Sequence, residues 1–259
     1  VRKLIVGVVA LLAIALVADF GTAAYSEYRV SRALRDGGEL TADPEVTIHG
    51  FPFLTQAARG DYSRVEIRAQ DVPTEYVNKT TIEATLRGVR IPASDLVDGS
   101  VRTVPVDRLD GRVRIEATDL GQFLDIPDLQ VSAPPADKSD GTGGSGGSGK
   151  TTTGAVVLSG TVSVGPLNTA VSVTAELQLD GDKVNIVASD FYFGPEGEAD
   201  FTIPDILKPT VLGLFTKTID RQQLPFGITP TSVYAEGGEI VIEGTGTGIT
   251  IDLESIRTP

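Results

Sequence analysis

Arg112-Val-Arg-Ile-Glu-Ala117 alternates apolar and charged side chains with a period of two, and the fold class turns on this stretch. Alternation sends Val113 and Ile115 to one face of a strand and Arg112, Arg114 and Glu116 to the other. A strand with one dry and one wet face belongs to an antiparallel sheet, because parallel strands covered on both sides read as continuous apolar runs. Arg64-Val-Glu-Ile-Arg68 repeats the pattern upstream. Between the two, Ile82, Ala84 and Leu86 share one parity and Val89 and Ile91 the other. The apolar face therefore switches at Gly88, which predicts a bulge or sharp bend there.

The downstream half keeps the same habit. Val162 and Val164, then Val171 to Leu179, then Val184 and Ile186 alternate with polar residues, and Asp180-Gly181 predicts a hairpin turn. Ile240 and Ile242 are expected to pair with Ile249, Ile251 and Leu253 across Gly244-Thr-Gly-Thr-Gly248. Two segments leave the strand pattern. Val30, Ala33 and Leu34 within Ser26 to Leu34 have helical spacing, stopped by Asp36-Gly37-Gly38. Pro209 to Ile219 carries Val211, Leu212, Leu214, Phe215 and Ile219 in a pattern that fits a short helix. The expected fold is α+β, with a long, strongly twisted antiparallel sheet curled around apolar contents.

Arg2 and Lys3 precede an apolar run from Leu4 to Ala18. A positive end before such a run is an export signal with its charges in the cytoplasm. Fifteen residues lie between a signal-peptide core and the roughly 20 of a full span. Thr22-Ala23-Ala24 offers a small-residue cleavage site, and a retained anchor would continue to Ala24 with Asp19 near the outer interface, where a carboxylate is tolerated. Both readings stand, with a buried core helix as the bland alternative, and both place residues from Tyr25 onward outside the cytoplasm. The expected organisation is a signal or anchor at 1–24 and one domain at 25–259, interrupted by a flexible Gly/Ser-rich loop at 136–150.

The net charge is −13, with 15 basic and 19 acidic groups up to residue 130 and 7 and 16 beyond it. Nucleic acid is not an expected partner, because binding its backbone needs clustered positive charge. Cysteine is absent, so disulfides, thiol nucleophiles and Cys-ligated metals are excluded. Gly144-Ser-Gly-Gly-Ser-Gly149-Lys150-Thr151 satisfies the phosphate-loop pattern, yet Pro134-Pro135 precedes it and a strand-like run follows, where a buried strand and a helix are required. No nucleotide is expected. His49, the one histidine, lies at a strand end, and no serine stands in the strand-to-helix context of a nucleophile elbow. The carboxylate pairs Asp180/Asp182 and Glu196/Glu198 fall in glycine-containing turns, where acids serve turn geometry. No catalytic residue, metal site or cofactor is assigned.

Three phrases carry a family resemblance: Val46-Thr-Ile-His-Gly-Phe-Pro-Phe-Leu-Thr-Gln56, Gly60-Asp-Tyr-Ser-Arg-Val-Glu-Ile67 and Ile219-Asp-Arg-Gln-Gln-Leu-Pro-Phe-Gly227. In these the chain resembles the LmeA family of phospholipid-binding envelope proteins of actinobacteria, over Tyr25 to Leu253 with the Gly/Ser segment as an insertion. The resemblance implies a tubular-lipid-binding architecture, similar to one module of the bactericidal permeability-increasing proteins, in which a curved sheet wraps a long N-terminal helix and leaves an apolar lipid cavity. It also implies phosphoinositide-type lipids as partners and a part in maintaining envelope lipoglycans. A hydrolase of envelope glycans or lipids and a purely structural anchor are the alternatives, and no protein partner is named.

The residues expected to meet lipid come from apolar strand faces and from aromatic segments. The faces supply Val65, Ile67, Leu86, Val113, Ile115, Val162, Val164, Ile240 and Ile242. The segments around Phe51-Pro52-Phe53-Leu54, Asp190-Phe191-Tyr-Phe193 and Leu224-Pro-Phe226 supply Phe51, Phe53, Leu54, Phe191, Phe193 and Phe226 as core or as lipid contacts. Leu212 and Phe215 join them from the short helix.

Overall fold

The computed structural model of the chain describes residues 1–38, 40–72, 79–98, 101–134, 154–164, 167–180, 183–192, 204–219 and 229–252. Their Cα packing resolves into two compact units. The first comprises Val1–Asp71, Ile82–Gly111 and Gly246–Pro259, and the second Val72–Thr81 and Arg112–Thr245. The fold is α+β, a long N-terminal helix with two antiparallel sheets, neither closed into a barrel. Strand order in the six-stranded sheet is β1-β2-β3-β4-β11-β10, from β1 (Glu45–His49), β2 (Asp61–Val72), β3 (Thr80–Arg90), β4 (Thr103–Glu116), β10 (Thr229–Glu236) and β11 (Glu239–Asp252). The five-stranded sheet runs β5-β6-β7-β8-β9, from β5 (Gln130–Ser132), β6 (Ala155–Val164), β7 (Leu167–Asp180), β8 (Lys183–Phe191) and β9 (Lys217–Ile219).

In the first unit α1 (Arg2–Gly37) is one uninterrupted helix, so the apolar run and the helix read from Ser26 to Leu34 are continuous. It ends where Asp36-Gly37-Gly38 predicts, with the Gly38 N–H donating to the Leu34 carbonyl at 2.8 Å. Residues 1 to 18 are all exposed, which removes the buried-core reading of the run. Beyond them α1 packs against β1, α2 (Phe53–Arg59) and α3 (Ala93–Asp98). The unit's core gathers Val46 and Ile48 from β1, Tyr62 and Val65 from β2, Ile82, Ala84 and Leu86 from β3 and Leu109 from β4. Gly88 adopts φ +62°, and buried positions change parity across it from Leu86 to Val89. Any Cβ there would collide with the Asp107 carboxylate, so only glycine lets β3 turn its apolar side over without ending.

In the second unit β6 and β7 form a long hairpin, paired from Ala155↔Glu176 to Val164↔Leu167. β8 pairs with β7 up to Asp180↔Lys183, and residues 181–182, on which the expected hairpin turn falls, lie outside the described residues. β10 and β11 meet at Gly237-Gly238, both with positive φ, as tight hairpins of matching twist require. Alternation turns Val113, Ile115, Ile240 and Ile242 inward, while β10 crosses β5, β6 and β7, so two sheet faces enclose one apolar cluster. α4 (Ala117–Leu124) lies over β5, and α5 (Lys208–Leu214) over β6 and β8.

Two expectations are corrected. The Gly244–Gly248 stretch is not a turn between strands: β11 continues through it, with Gly248 at φ 61°, and Ile240 and Ile242 pair with Ala235 and Val233 of β10. Its alternating threonines keep strand periodicity, which outweighs the entropic cost of glycine inside a strand. The helix expected from Pro209 to Ile219 ends at Leu214, and Lys217–Ile219 becomes β9, because the β-branched Thr218 and Ile219 complete the edge beside β8.

Candidate functional site

The residues expected to meet lipid fall into three groups. Val113, Ile115, Val162, Phe191, Phe215, Ile240 and Ile242 come together in the buried cluster of the second unit, with Leu212 packed against it. Phe53, Val65 and Leu86 are buried in the first unit and Ile67 is half-buried there. Phe51 and Leu54 are exposed. Val164 belongs to β6, but its side chain, like Phe193 and Phe226, lies outside the described residues.

The cluster takes in more than the strand faces read from sequence. Leu120 and Leu124 reach it from α4, and Ile126, Leu129 and Val131 from the corner leading into β5. That corner is set by close approach. The Ile126 N–H donates to the Gly121 carbonyl at 2.7 Å, Asp125 takes the left-handed conformation at φ 60°, and Ile126 sits where side chains at Gly121 and Gly160 would have to be. The sequence signal for α4 is Leu120, Phe123 and Leu124 at i, i+3, i+4, starting where the alternation of β4 stops. α2 has Pro52 before it and Gly60 at φ 66° after it, the ordinary punctuation of a short helix.

The face of β4, β11 and β10 opposite the cluster is not simply wet. Glu243 accepts hydrogen bonds from Arg112 (2.7 and 3.1 Å), Tyr234 (2.8 Å) and Ser232 (3.1 Å), and Arg114 donates to Glu239 at 2.7 Å and Glu236 at 3.3 Å. Loss of water raises the Glu243 carboxyl, but its hydrogen bonds from Tyr234, Arg112 and Ser232 together outweigh this and hold it below the usual value. Burial first, and the bond to Glu243 second, push the Tyr234 hydroxyl up to about 12. These groups knit three strands together, a structural task for charges that alternation reads as a solvated face.

His49 ends β1, with Nε2 3.0 Å from the Glu66 carboxylate. Tyr62 is 1% exposed against Phe53, ring centroids 6.0 Å apart, and its hydroxyl has no hydrogen-bond partner among the described residues. A buried hydroxyl without a partner costs free energy, so Tyr62→Phe is expected to leave the fold intact and raise its stability by about 1 kcal/mol. Thermal unfolding of the two proteins checks this, and a loss of comparable size would show that the hydroxyl is satisfied.

Among the described residues no three His, Cys, Asp or Glu gather as metal ligands. Asp182, Glu196, Glu198 and the phosphate-loop match at Gly144 to Thr151 lie outside them. α1 is long and apolar enough to cross a membrane. What the described site offers chemically is an extended apolar interior with its charges locked in pairs on the other side of one sheet. No match was found among curated proteins or among solved structures. A sequence model of one family does match, from residue 17 to residue 245. The interior and the match agree, and the chain belongs to the LmeA-like phospholipid-binding family.

Proposed function

We propose that the chain is a non-catalytic phospholipid-binding protein of the cell envelope, exported to the outer side of the membrane, which holds acyl chains in the apolar interior of its second unit. The carrying observation is that interior: 24 buried apolar side chains from two facing sheets and two short helices form one continuous cluster. Its chemistry suits acyl chains. At about 0.8 kcal/mol per buried methylene, a 16-carbon chain offers roughly 12 kcal/mol, against about 4–15 kcal/mol that association costs. A second chain adds a surplus.

Access lies on the α5–β9 side in this reading. α5 is seven residues long with no side-chain cap at its N-terminus, and β9 is a sheet edge held by three register pairs to β8. Such elements open locally at lower free energy than long hairpins like β6–β7. The finer assignment is a phosphoinositide-type headgroup, a cavity of the tubular-lipid-binding kind and a role in supporting envelope lipoglycans. It is supported by the family resemblance in the three phrases quoted above.

The test is lipid carried by the purified protein, measured by mass spectrometry after solvent extraction. Leu212→Asp puts a carboxylate on α5 against the cluster, whereas Gln178→Asp puts one on the exposed side of β7. The parent and Gln178→Asp are expected to carry phospholipid and Leu212→Asp at least tenfold less, because a carboxylate cannot be solvated among acyl chains. A lipid-free parent that takes none up from vesicles, or equal loading of both folded variants, overturns the assignment.

A further inference from the structure

The apolar run of α1 and the globular part of the first unit are joined by a specific clamp. Asp19, at the end of that run, is 4% exposed although its neighbours on both sides are open to solvent. Its Oδ2 accepts the Phe53 N–H at 2.9 Å and its Oδ1 the Leu54 N–H at 2.8 Å. Those are the first N–H groups of α2, which Pro52 at the N-cap cannot satisfy. One helix therefore caps another across 34 residues of sequence. The seam continues along the same side of α1: Glu27 accepts the Ile48 N–H at 2.7 Å, and Ser31 donates to the Pro44 carbonyl at 2.6 Å. Beside the clamp the Phe20 and Phe51 rings stack 6.1 Å apart, 65% and 63% exposed, and Leu54, whose N–H is held by Asp19, is exposed too.

We propose that α1 is retained as a membrane span, and that Phe20, Phe51 and Leu54 form a wedge seated in the outer leaflet of the membrane it crosses, held there by Asp19. This rests on the exported reading above. Retention follows because Thr22-Ala23-Ala24, the small-residue cleavage site, lies within the continuous helix, downstream of Asp19 and Phe20. Cutting there would strip α2 of both acceptors and leave Phe51 without its partner.

The occupant follows from length and continuity. Leu4 to Ala18 rises about 22 Å as a helix, short of a hydrocarbon core of about 30 Å. Lys3 and Arg2 can reach the inner surface by extending their side chains. At the outer end the shortfall is met if the next apolar surface sinks into the bilayer, and that surface is the wedge, contiguous with the run. Asp19 tolerates this depth because both its oxygens are occupied by N–H donors at the positive end of a helix.

The chain contains no tryptophan, so Phe51→Trp is a clean fluorescent reporter. Gln70→Trp, on the exposed side of β2 and nine residues beyond its start at Asp61, is the control. The full chain in phosphatidylcholine vesicles brominated along the acyl chains should show strong quenching of the Phe51→Trp protein and little of Gln70→Trp. Adding Asp19→Ala should reduce the first toward the second. Equal quenching of the two reporters overturns the wedge, and quenching unaffected by Asp19→Ala overturns the clamp. Intact mass of the protein recovered from envelope membranes should include residues before Asp19, and a mature chain starting after Ala24 overturns retention. Failure of the exported reading itself is read separately, as silence of a C-terminal reporter that works only outside the cytoplasm.

Discussion

Phe215→Ala is expected to cost the protein about 3–5 kcal/mol, the range for deleting a fully buried phenylalanine ring. Phe215 is 0% exposed, belongs to the buried cluster and closes α5 through its N–H to the Leu212 carbonyl at 3.2 Å. It is also the link from α5 to β9. Removing the ring opens a cavity and unpins the pair of elements through which lipid access is proposed. Urea unfolding followed by far-UV circular dichroism should show the midpoint falling with the slope unchanged. Exchange of bound phospholipid with vesicles should accelerate in the same variant. A loss below about 1 kcal/mol would mean that the surroundings collapse onto the gap, and would remove Phe215 from any special place in the cluster.

Glu243→Ala should cost about 2–3 kcal/mol. One carboxylate collects donors from Arg112, Ser232 and Tyr234, and without it all three lose their common acceptor. The figure falls below the 3–5 kcal/mol typical of a broken, fully buried pair because the Arg112 side chain keeps 40% of its surface exposed. The same cluster gives stability a pH signature. Glu243 is held below its usual value, so its contribution is complete above the unfolded value of about 4.5 and is lost as the pH falls through the lower folded one. Tyr234 is raised to about 12, so its contribution is complete below pH 10 and drains away between 10 and 12. Glu243→Ala should therefore flatten the acid limb. Only part of the alkaline limb should go with it, because burial rather than Glu243 is the largest cause of the Tyr234 shift. A pH–stability profile unchanged at both ends would rule the cluster out as a stabilising element.

Much of this architecture can be read from residue order, and what cannot has identifiable causes. The alternation of Arg112 to Ala117 locates β4 and its buried face, and the parity switch at Gly88 anticipates a left-handed residue inside β3. Both are local signals with a period of two, which nothing else in a chain imitates over several residues. The short helices α2, α3 and α4 escape the same reading, since six to eight residues hold barely two turns, and their stability comes from tertiary contact rather than propensity. The cap of α2 cannot be seen locally at all, because its acceptor is 34 residues upstream in a segment that composition reads as an export signal or anchor. Arg114 shows the converse limit. Alternation assigns it to the wet face, and only the register of β10 with β11 brings Glu236 and Glu239 to it. For the lipid site, sequence identifies apolar faces but not which of them meet: Ile115 and Ile240 share a cluster, while Leu86 belongs to another core.

The five-stranded sheet ends in two strands of three residues each, β5 and β9. A strand that short presents few free N–H and C=O groups to a neighbouring chain, whereas long flat edges template the cross-strand pairing that leads to fibrils. Many copies confined to one membrane surface meet far more often than the same number free in solution. If the protein is held at a membrane as proposed, the blunt edges of this sheet limit its pairing with neighbouring copies under such crowding.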